Sequence, residues 1–187
     1  VTDEFLERGV GRIGKGIDKW VEKGKVDEAA ADRMRAALHP TTEISDLFAC
    51  DLVIEAIVED LDAKRQLFAA LDEGCGDEAI LASNTSSISI TRLAAATGRP
   101  EQVIGMHFFN PVPLMALVEI VRGEATADEV NERVERLARD LGKTPVSVND
   151  FPGFVSNRVL MPMINEAAFC LHQGVATAEA LDEGLKL

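Results

Sequence analysis

Short apolar runs alternate with amphipathic helical patterns through most of the chain, and this alternation is the strongest constraint on its fold. Each apolar run has the length of a buried strand rather than of a helix. Chains of this kind form an open parallel sheet covered by helices, so we predict a doubly wound α/β fold. The predicted strands are Asp51–Ile57, Ala79–Ser83, Val103–Phe109, Ala116–Val121 and Pro145–Val148, and the helices between them are Ala63–Cys75, Thr91–Thr97 and Asp128–Leu141.

The third and fourth predicted strands are joined by a turn, and each holds a single polar side chain. The segment 110–113 forces this turn because its two prolines fix φ and lack N–H donors. His107 lies on one strand and Glu119 on the other. A carboxylate beside an imidazole stabilises the imidazolium and fixes its tautomer, which is how a general base is built. The alternative is a core histidine that is merely satisfied, next to an exposed strand glutamate.

Polar side chains recur at the carboxyl ends of the predicted strands, where open α/β sheets bind ligands. Each of them also has an ordinary interpretation, such as a surface ion pair between Glu59 and Lys64 or a helix cap at Ser86. Because several strand ends meet at one edge of a sheet, their agreement favours a ligand site. The side chains are Glu59 and Lys64 after the first strand, Asn84 and Ser86 after the second, and His107 and Asn110 at the end of the third.

An amphipathic helix is predicted from Asp3 to Lys23, with Gly24 as its C-terminal stop. Residues 9–14 spell G-x-G-x-x-G, but a dinucleotide fingerprint requires a strand before it and a helix after it. Charged, helix-periodic residues precede this run, so we predict no phosphate loop there. The same helix carries a basic stripe, which is either a docking surface for an anionic ligand or a solvated face. The stripe consists of Arg8, Arg12, Lys15, Lys19 and Lys23.

The charge and the cysteine content argue against several classes of function. A net charge of −13 disfavours nucleic acid and anionic membrane surfaces as partners. Cys50, Cys75 and Cys170 lie far apart without the spacing of metal ligands, as expected in a reducing compartment. No apolar run is long enough to span a membrane, and no signal peptide is recognisable after Val1. We therefore predict a cytoplasmic protein with no nucleic-acid partner, no membrane partner and no metal.

The pattern changes near residue 150, where we predict a domain boundary. One long helix is predicted from Phe154 to Gln173, with a kink at Pro162. Residues 1–149 would then form an α/β domain, and residues 150–187 would begin a helical domain. Asn157 lies in the first turn of the long helix, where it is either a site residue or a solvent-facing one.

Four segments together resemble the L-3-hydroxyacyl-CoA dehydrogenases, and most of all the 3-hydroxybutyryl-CoA dehydrogenase type. They are L-V-I-E-A-I-V-E at 52–59, S-N-T-S-S-I at 83–88, G-M-H-F-F-N-P-V-P at 105–113 and P-G-F-V-S-N-R at 152–158. The resemblance covers essentially the whole chain, and the H-F-F-N-P segment with its downstream glutamate is highly specific. It implies an incomplete Rossmann-type, doubly wound domain followed by the start of an all-α domain.

The resemblance also implies an activity: oxidation of (3S)-3-hydroxyacyl-CoA, such as 3-hydroxybutyryl-CoA, with NAD in fatty-acid or butanoate metabolism. NADP is the alternative cofactor. His107 would be the general base, and Glu119 would hold and polarise it. The remaining implied roles are substrate-oxygen contacts by Ser86 and Asn157, contacts to the nicotinamide half of the cofactor by Glu59, Lys64, Asn110 and Ser86, and contacts to the adenosine phosphate of coenzyme A around Lys23.

The family pattern contains two parts that this sequence does not show. One is an initial strand with a glycine-rich turn and an acidic ribose ligand, and the other is a set of further C-terminal helices. We therefore expect this chain to be an internal piece of a longer, homodimeric enzyme. By itself, the piece should bind NAD weakly or not at all and should not convert substrate. The alternative is a non-catalytic fragment or structural remnant of the same fold. The related β-hydroxyacid dehydrogenases fit less well because they use a catalytic lysine.

Overall fold

The computed structural model describes residues 2–186, and the chain divides into two compact units between residues 49 and 50. The first unit holds helices α1 (Asp3–Glu22) and α2 (Glu28–Ala36) and a 3-10 turn (Ile44–Leu47). The second holds strands β1 (Leu52–Glu55), β2 (Ile80–Ser83), β3 (Val103–Phe108), β4 (Leu117–Arg122) and β5 (Thr144–Asn149), a 3-10 turn (Pro100–Gln102), and helices α3 (Leu61–Gly74), α4 (Ile90–Ala94), α5 (Asp128–Asp140), α6 (Ser156–His172) and α7 (Ala178–Lys186). The α/β fold class is thereby confirmed, with element ends shifted by a few residues.

The first unit is a pair of helices joined by a short turn. Gly24, with φ of +64°, follows α1 and adopts the left-handed conformation that glycine favours at a helix end. The side chain of Asp27 caps α2 by accepting a hydrogen bond from the N–H of Ala30 at 2.6 Å. Residues 9–14 lie inside α1, which confirms that the G-x-G-x-x-G run is helical and is not a phosphate loop.

The second unit is built on a five-stranded sheet with strand order β1-β2-β3-β4-β5. Strands β1 to β3 are mutually parallel, β4 runs antiparallel to β3, and β5 is parallel to β4. The sheet is therefore mostly parallel, and it differs from the predicted parallel sheet only in the antiparallel pair β3–β4. The short proline turn after β3 explains the difference, because a tight connection can join only antiparallel neighbours. One buried core cluster joins this sheet to α5, which contributes Val130, Val134 and Ala138. Helices α3 and α4 bury further apolar side chains, among them Phe68 and Leu93.

Gly105 on β3 lies where β4 and α4 pack closely against this strand. A Cβ atom on Gly105 would lie 2.7 Å from Cβ of Val121 and 3.0 Å from a methyl of Ile90. Any larger residue would push β4 and α4 away from β3. Glycine at this position therefore sets how tightly β3, the strand that carries His107, is held in the core.

Helices α6 and α7 end the described chain. Helix α6 continues through Pro162, and the predicted kink there stays a prediction. Gly174, with φ of +72°, follows α6, and the hydroxyl of Thr177 accepts the N–H of Ala180 at the start of α7. Within residues 2–186, no helix combines the length and the apolar character that a membrane span requires.

Candidate active site

His107 and Glu119 face each other across the antiparallel pair β3–β4. They are register partners, so their side chains leave the sheet on the same face. Nδ1 of His107 lies 2.8 Å from Oε2 of Glu119. The exposed fractions are 5% for His107 and 1% for Glu119, so this is a buried pair. The alternative of an exposed strand glutamate is therefore wrong.

The second oxygen of Glu119 is bound by the beginning of α6. Oε1 accepts hydrogen bonds from the N–H of Ser156 at 2.8 Å, the hydroxyl of Ser156 at 2.9 Å and the N–H of Val155 at 3.2 Å. The first N–H groups of a helix have no partner within the helix, and the N-terminus carries a partial positive charge. One buried carboxylate thus satisfies the end of α6 and the imidazole at the same time.

A left-handed turn brings α6 to this carboxylate. Gly153 has φ of +78° and Phe154 has φ of +51°, which is rare for a residue with a side chain. Phe154 is 3% exposed, and its ring centroid lies 5.8 Å from that of His107. The centroid of the Phe109 ring lies 4.6 Å from that of the imidazole. Packing against His107 thus stabilises the unfavourable backbone conformation of Phe154.

Glu119 is held in its ionised form. Burial raises its pKa, but the hydrogen bonds from His107, Ser156 and Val155 outweigh burial and bring the pKa below its ordinary value. An ionised carboxylate accepts hydrogen bonds and cannot donate one, so Nδ1 of His107 must carry a hydrogen. That tautomer leaves Nε2 of a neutral imidazole as the nitrogen that can take up a proton. The pair is therefore arranged as a base with a fixed orientation.

A second polar cluster lies at the ends of β1 and β2 and is centred on Glu55. This carboxylate accepts hydrogen bonds from Nζ of Lys64 at 2.7 Å, the hydroxyl of Ser83 at 2.6 Å and the N–H of Ile57 at 2.6 Å. The side chains of Glu55 and Lys64 are 0% and 1% exposed. Lys64 also reaches Oε2 of Glu59 at 3.2 Å. The suggestion of a surface pair between Glu59 and Lys64 is wrong, since Lys64 is buried.

Glu59 connects this cluster to the loop after β2. Its Oε1 accepts hydrogen bonds from the hydroxyl of Thr85 at 2.5 Å, the N–H of Ser86 at 3.1 Å and the hydroxyl of Ser87 at 3.2 Å. Burial raises the pKa of Glu59, but the bonds from Thr85 and Lys64 outweigh it and lower the pKa. With 42% of its side chain exposed, Glu59 still offers one face to a ligand.

The structure brings most of the predicted site residues to one region of the sheet. Nδ2 of Asn157 lies 3.4 Å from the carbonyl oxygen of Ser86, so the start of α6 meets the loop after β2. Oδ1 of Asn84 accepts the N–H of Phe108, next to His107. Asn110 is exposed in the turn after β3. Lys23 belongs to the other unit, where it is the exposed C-cap of α1.

Two residues of this region were missed by reasoning from the sequence. Glu55 was treated only as part of a strand, although it is a lone carboxylate in the apolar run L-V-I-E-A-I, the same signal that identified Glu119. Ser156 gave no comparable signal, because a serine at the start of a helix is an ordinary capping residue. Its contact with Glu119 depends on how α6 docks against β4.

The chain matches two adjacent family models. Residues 1–151 match "3-hydroxyacyl-CoA dehydrogenase, NAD binding domain", and residues 153–187 match "3-hydroxyacyl-CoA dehydrogenase, C-terminal domain". The division between the two models differs from the division into compact units, which falls after residue 49. The domain boundary at residues 149 and 150 stays a prediction.

The chain is also similar to individual proteins that are named 3-hydroxybutyryl-CoA dehydrogenases. The chain is 56% identical over 184 residues to a protein of Deinococcus radiodurans named "Probable 3-hydroxybutyryl-CoA dehydrogenase", covering 98% of this chain and 66% of that protein. It is 45% identical to a 3-hydroxybutyryl-CoA dehydrogenase of Clostridioides difficile, covering 100% and 66%. A crystal structure of (S)-3-hydroxybutyryl-CoA dehydrogenase from Ralstonia eutropha superimposes with a TM-score of 0.95 at 47% identity, again covering 100% and 66%. The chain thus spans just under two thirds of the length of these relatives.

Proposed function

This chain belongs to the 3-hydroxyacyl-CoA dehydrogenase family, and we propose that it carries the acid–base machinery of an NAD-dependent enzyme that oxidises (3S)-3-hydroxyacyl-CoA to 3-oxoacyl-CoA. The short-chain substrate 3-hydroxybutyryl-CoA is the proposed preference, since the relatives described above are named for it. The observation that carries the proposal is the buried pair of His107 and Glu119, 2.8 Å apart. A buried imidazole with a fixed tautomer is suited to removing a hydroxyl proton.

In the proposed reaction, His107 takes the proton of the substrate 3-hydroxyl at Nε2 as the carbonyl forms. The imidazolium that results is stabilised by Glu119, which stays ionised because the start of α6 donates hydrogen bonds to it. In the reverse direction, the imidazolium returns the proton to the oxygen of a 3-oxoacyl group. Phe109 and Phe154 shield the ring from water. The low local polarity strengthens the interaction between the imidazolium and the carboxylate.

Ser86 and Asn157 are proposed to hold the substrate oxygen. The contact between Nδ2 of Asn157 and the carbonyl of Ser86 places these two residues beside each other, although they are distant in sequence. The side chain of Ser86 is exposed, so its hydroxyl is accessible to a ligand. Two donors near one oxygen would orient the hydroxyl toward the base, and such positioning supplies a large part of catalysis.

NAD is the proposed cofactor, and when bound it accepts the hydride from C3 of the substrate. The half-exposed carboxylate of Glu59, beside the strand ends, suits the hydroxyl groups of a nicotinamide ribose. Asn110 and Ser86 are exposed at the same region and are proposed as further contacts. Lys64 is proposed to act through Glu59, since its ammonium group is buried against Glu55 and Glu59.

The other proposed partners are coenzyme A and a second copy of the chain. The side chains of the basic stripe of α1, which ends at Lys23, are exposed, and their charge suits the adenosine phosphate of coenzyme A. A homodimer is proposed for the complete protein, as is a cytoplasmic location. The homodimer is proposed from the family pattern, and the location from the sparse cysteine content.

The test is a reductase assay of the complete encoded protein with acetoacetyl-CoA and either NADH or NADPH. We expect consumption of NADH in equal amount to 3-hydroxybutyryl-CoA formed, with NADPH used less well. A folded protein that binds NADH by calorimetry but consumes neither cofactor would contradict the proposal. That result would support the alternative of a non-catalytic protein with the same fold.

A further inference from the structure

The carboxylate of Glu119 divides its two oxygens between two parts of the molecule. Oε2 faces the imidazole of His107 on β3, while Oε1 accepts three hydrogen bonds from Val155 and Ser156 at the start of α6. Two of those three donors are backbone N–H groups, which any amino acid would supply. The third is the hydroxyl of Ser156, which depends on the identity of this residue.

We propose that Ser156 is a positioning residue for the general base, which it controls through Glu119 without touching the substrate. This inference rests on the proposed function of His107. The hydroxyl lies 2.9 Å from Oε1, and the N–H of the same residue lies 2.8 Å from the same atom. Ser156 therefore binds the carboxylate from two directions, and a carboxylate held in this way cannot rotate about its bond to the chain without losing one of them.

Fixing Oε1 has a direct consequence for Oε2 and the imidazole. The carboxyl group is planar, so a rotation that displaces Oε1 also displaces Oε2 from Nδ1 of His107. The two phenylalanines beside the imidazole restrict the position of the ring but donate no hydrogen bond to it. Glu119 is therefore the group that sets the ring's orientation, and Ser156 is the side chain that sets the orientation of Glu119.

The arrangement also links the base to α6, the helix that carries Asn157. Ser156 and Asn157 are adjacent, so the first turn of α6 presents one residue to Glu119 and the next to the loop at Ser86. A displacement of this turn would disturb the base and the proposed substrate contact together. Ser156 thus makes the orientation of the base depend on the correct docking of α6.

A matched pair of substitutions isolates the hydroxyl. Ser156→Thr keeps the hydroxyl, and Ser156→Val has nearly the same shape without it, so any effect of branching at the start of α6 is shared. Ser147→Ala is the control, because it removes a hydroxyl that donates to Asn131, a residue outside the site. All three are made in the complete encoded protein. We expect Ser156→Val to lower kcat about tenfold, since a hydrogen bond to a charged group is lost, with both KM values changed less than about twofold. Ser156→Thr and Ser147→Ala should retain kcat within about twofold.

A second measurement does not require turnover. A hydrogen on Nδ1 that is shared with a fixed carboxylate should give a sharp, slowly exchanging proton signal in NMR spectra, assigned by its absence from His107→Gln. We expect this signal to broaden in Ser156→Val and to persist in Ser156→Thr. A sharp signal in Ser156→Val would overturn the proposed positioning role, and so would equal kcat losses in the Thr and Val variants. If no substrate is turned over but the signal broadens in Ser156→Val, the proposed function fails, whereas the orientation of the His107 ring by Ser156 through Glu119 stands.

Discussion

Glu119 and Glu55 are both buried strand carboxylates, but their neighbours give them different tasks. Glu55 binds Lys64, Ser83 and the backbone at Ile57 within a closed cluster that supports the loop after β2. Glu119 binds the start of α6 with one oxygen and an imidazole with the other. The imidazole retains a second nitrogen that can accept a proton, whereas the ammonium group of Lys64 is bound by two carboxylates. A buried ion pair of which every polar atom is hydrogen-bonded, such as Glu55 and Lys64, stabilises the fold. A buried pair in which one partner keeps a nitrogen that can accept a proton, such as Glu119 and His107, can act in acid–base catalysis.

The strongest test of this contrast is removal of the imidazole. His107→Gln in the complete encoded protein should lower kcat by about 10²–10⁴, the usual contribution of a positioned acid–base group. The free energy of unfolding should change much less than the activation free energy of turnover, because glutamine can still donate a hydrogen bond to Glu119. Steady-state kinetics and urea unfolding measure the two effects. His172→Gln, an exposed histidine on α6, is the control and should retain full activity. Turnover close to that of the wild type in His107→Gln would contradict the mechanism.

The Glu55 cluster should respond in the opposite way, with stability affected most. Lys64→Met leaves Glu55 buried without its cation, and breaking such a pair destabilises a protein by about 3–5 kcal/mol. The double variant Glu55→Gln/Lys64→Met should recover part of that loss, since no unpaired buried charge remains. Urea unfolding of the wild type and of both variants measures these changes. Arg65→Met, an exposed neighbour on α3, should change the free energy of unfolding by less than about 0.5 kcal/mol. A loss for Lys64→Met as small as that of Arg65→Met would remove the distinction between the clusters.

Acid unfolding compares the two clusters through Glu119 and Glu59. The pKa of each is lowered in the folded protein, so each contributes stability that is fully present above the ordinary glutamate pKa of about 4.3. That stability is lost as the pH falls through the lower pKa of the folded state. Glu119→Gln should therefore flatten the fall in unfolding free energy below that pH. Glu59→Gln should flatten it less, because the Glu59 side chain is 42% exposed and that of Glu119 is 1% exposed. Glu132→Gln, at an exposed position on α5, is the control and should leave the acid profile unchanged. Identical acid profiles for the wild type and Glu119→Gln would contradict a lowered pKa of Glu119.

The basic stripe of α1 consists of exposed charges, in contrast to the two buried carboxylates. Removing charges from it should have the smallest effect of the four changes. Replacing Lys19 and Lys23 together by alanine should raise KM for a coenzyme A thioester a few-fold at low salt, and less at high salt, because exposed charges are screened. A pantetheine thioester, which lacks the nucleotide, should show no such rise. Arg136→Ala on α5 removes one exposed charge elsewhere and serves as the control. Equal effects on the two thioesters would show that the stripe does not contact the nucleotide end.

Most of the secondary structure followed from local pattern, for a clear physical reason. Strand and helix periodicities and the glycine that ends α1 depend on residues within a few positions of one another. The same locality identified residues 9–14 as part of a helix. It also singled out His107 and Glu119, since a lone polar residue in an apolar strand stands out without any knowledge of the fold.

The sequence by itself determined that the chain is α/β, that its glycine-rich run is helical, and that two apolar strands each hold one reactive side chain. Only the tertiary structure decided what those side chains touch. Antiparallel pairing placed His107 opposite Glu119, whereas a register shift of one residue would have sent their side chains to opposite faces. The contacts of Glu55 with Ser83 and of Glu119 with Ser156 join residues 28 and 37 positions apart. Such contacts arise from strand pairing and helix docking, which no local pattern encodes, and so the contacts of Glu55 with Ser83 and of Ser156 with Glu119 became visible only in the folded chain.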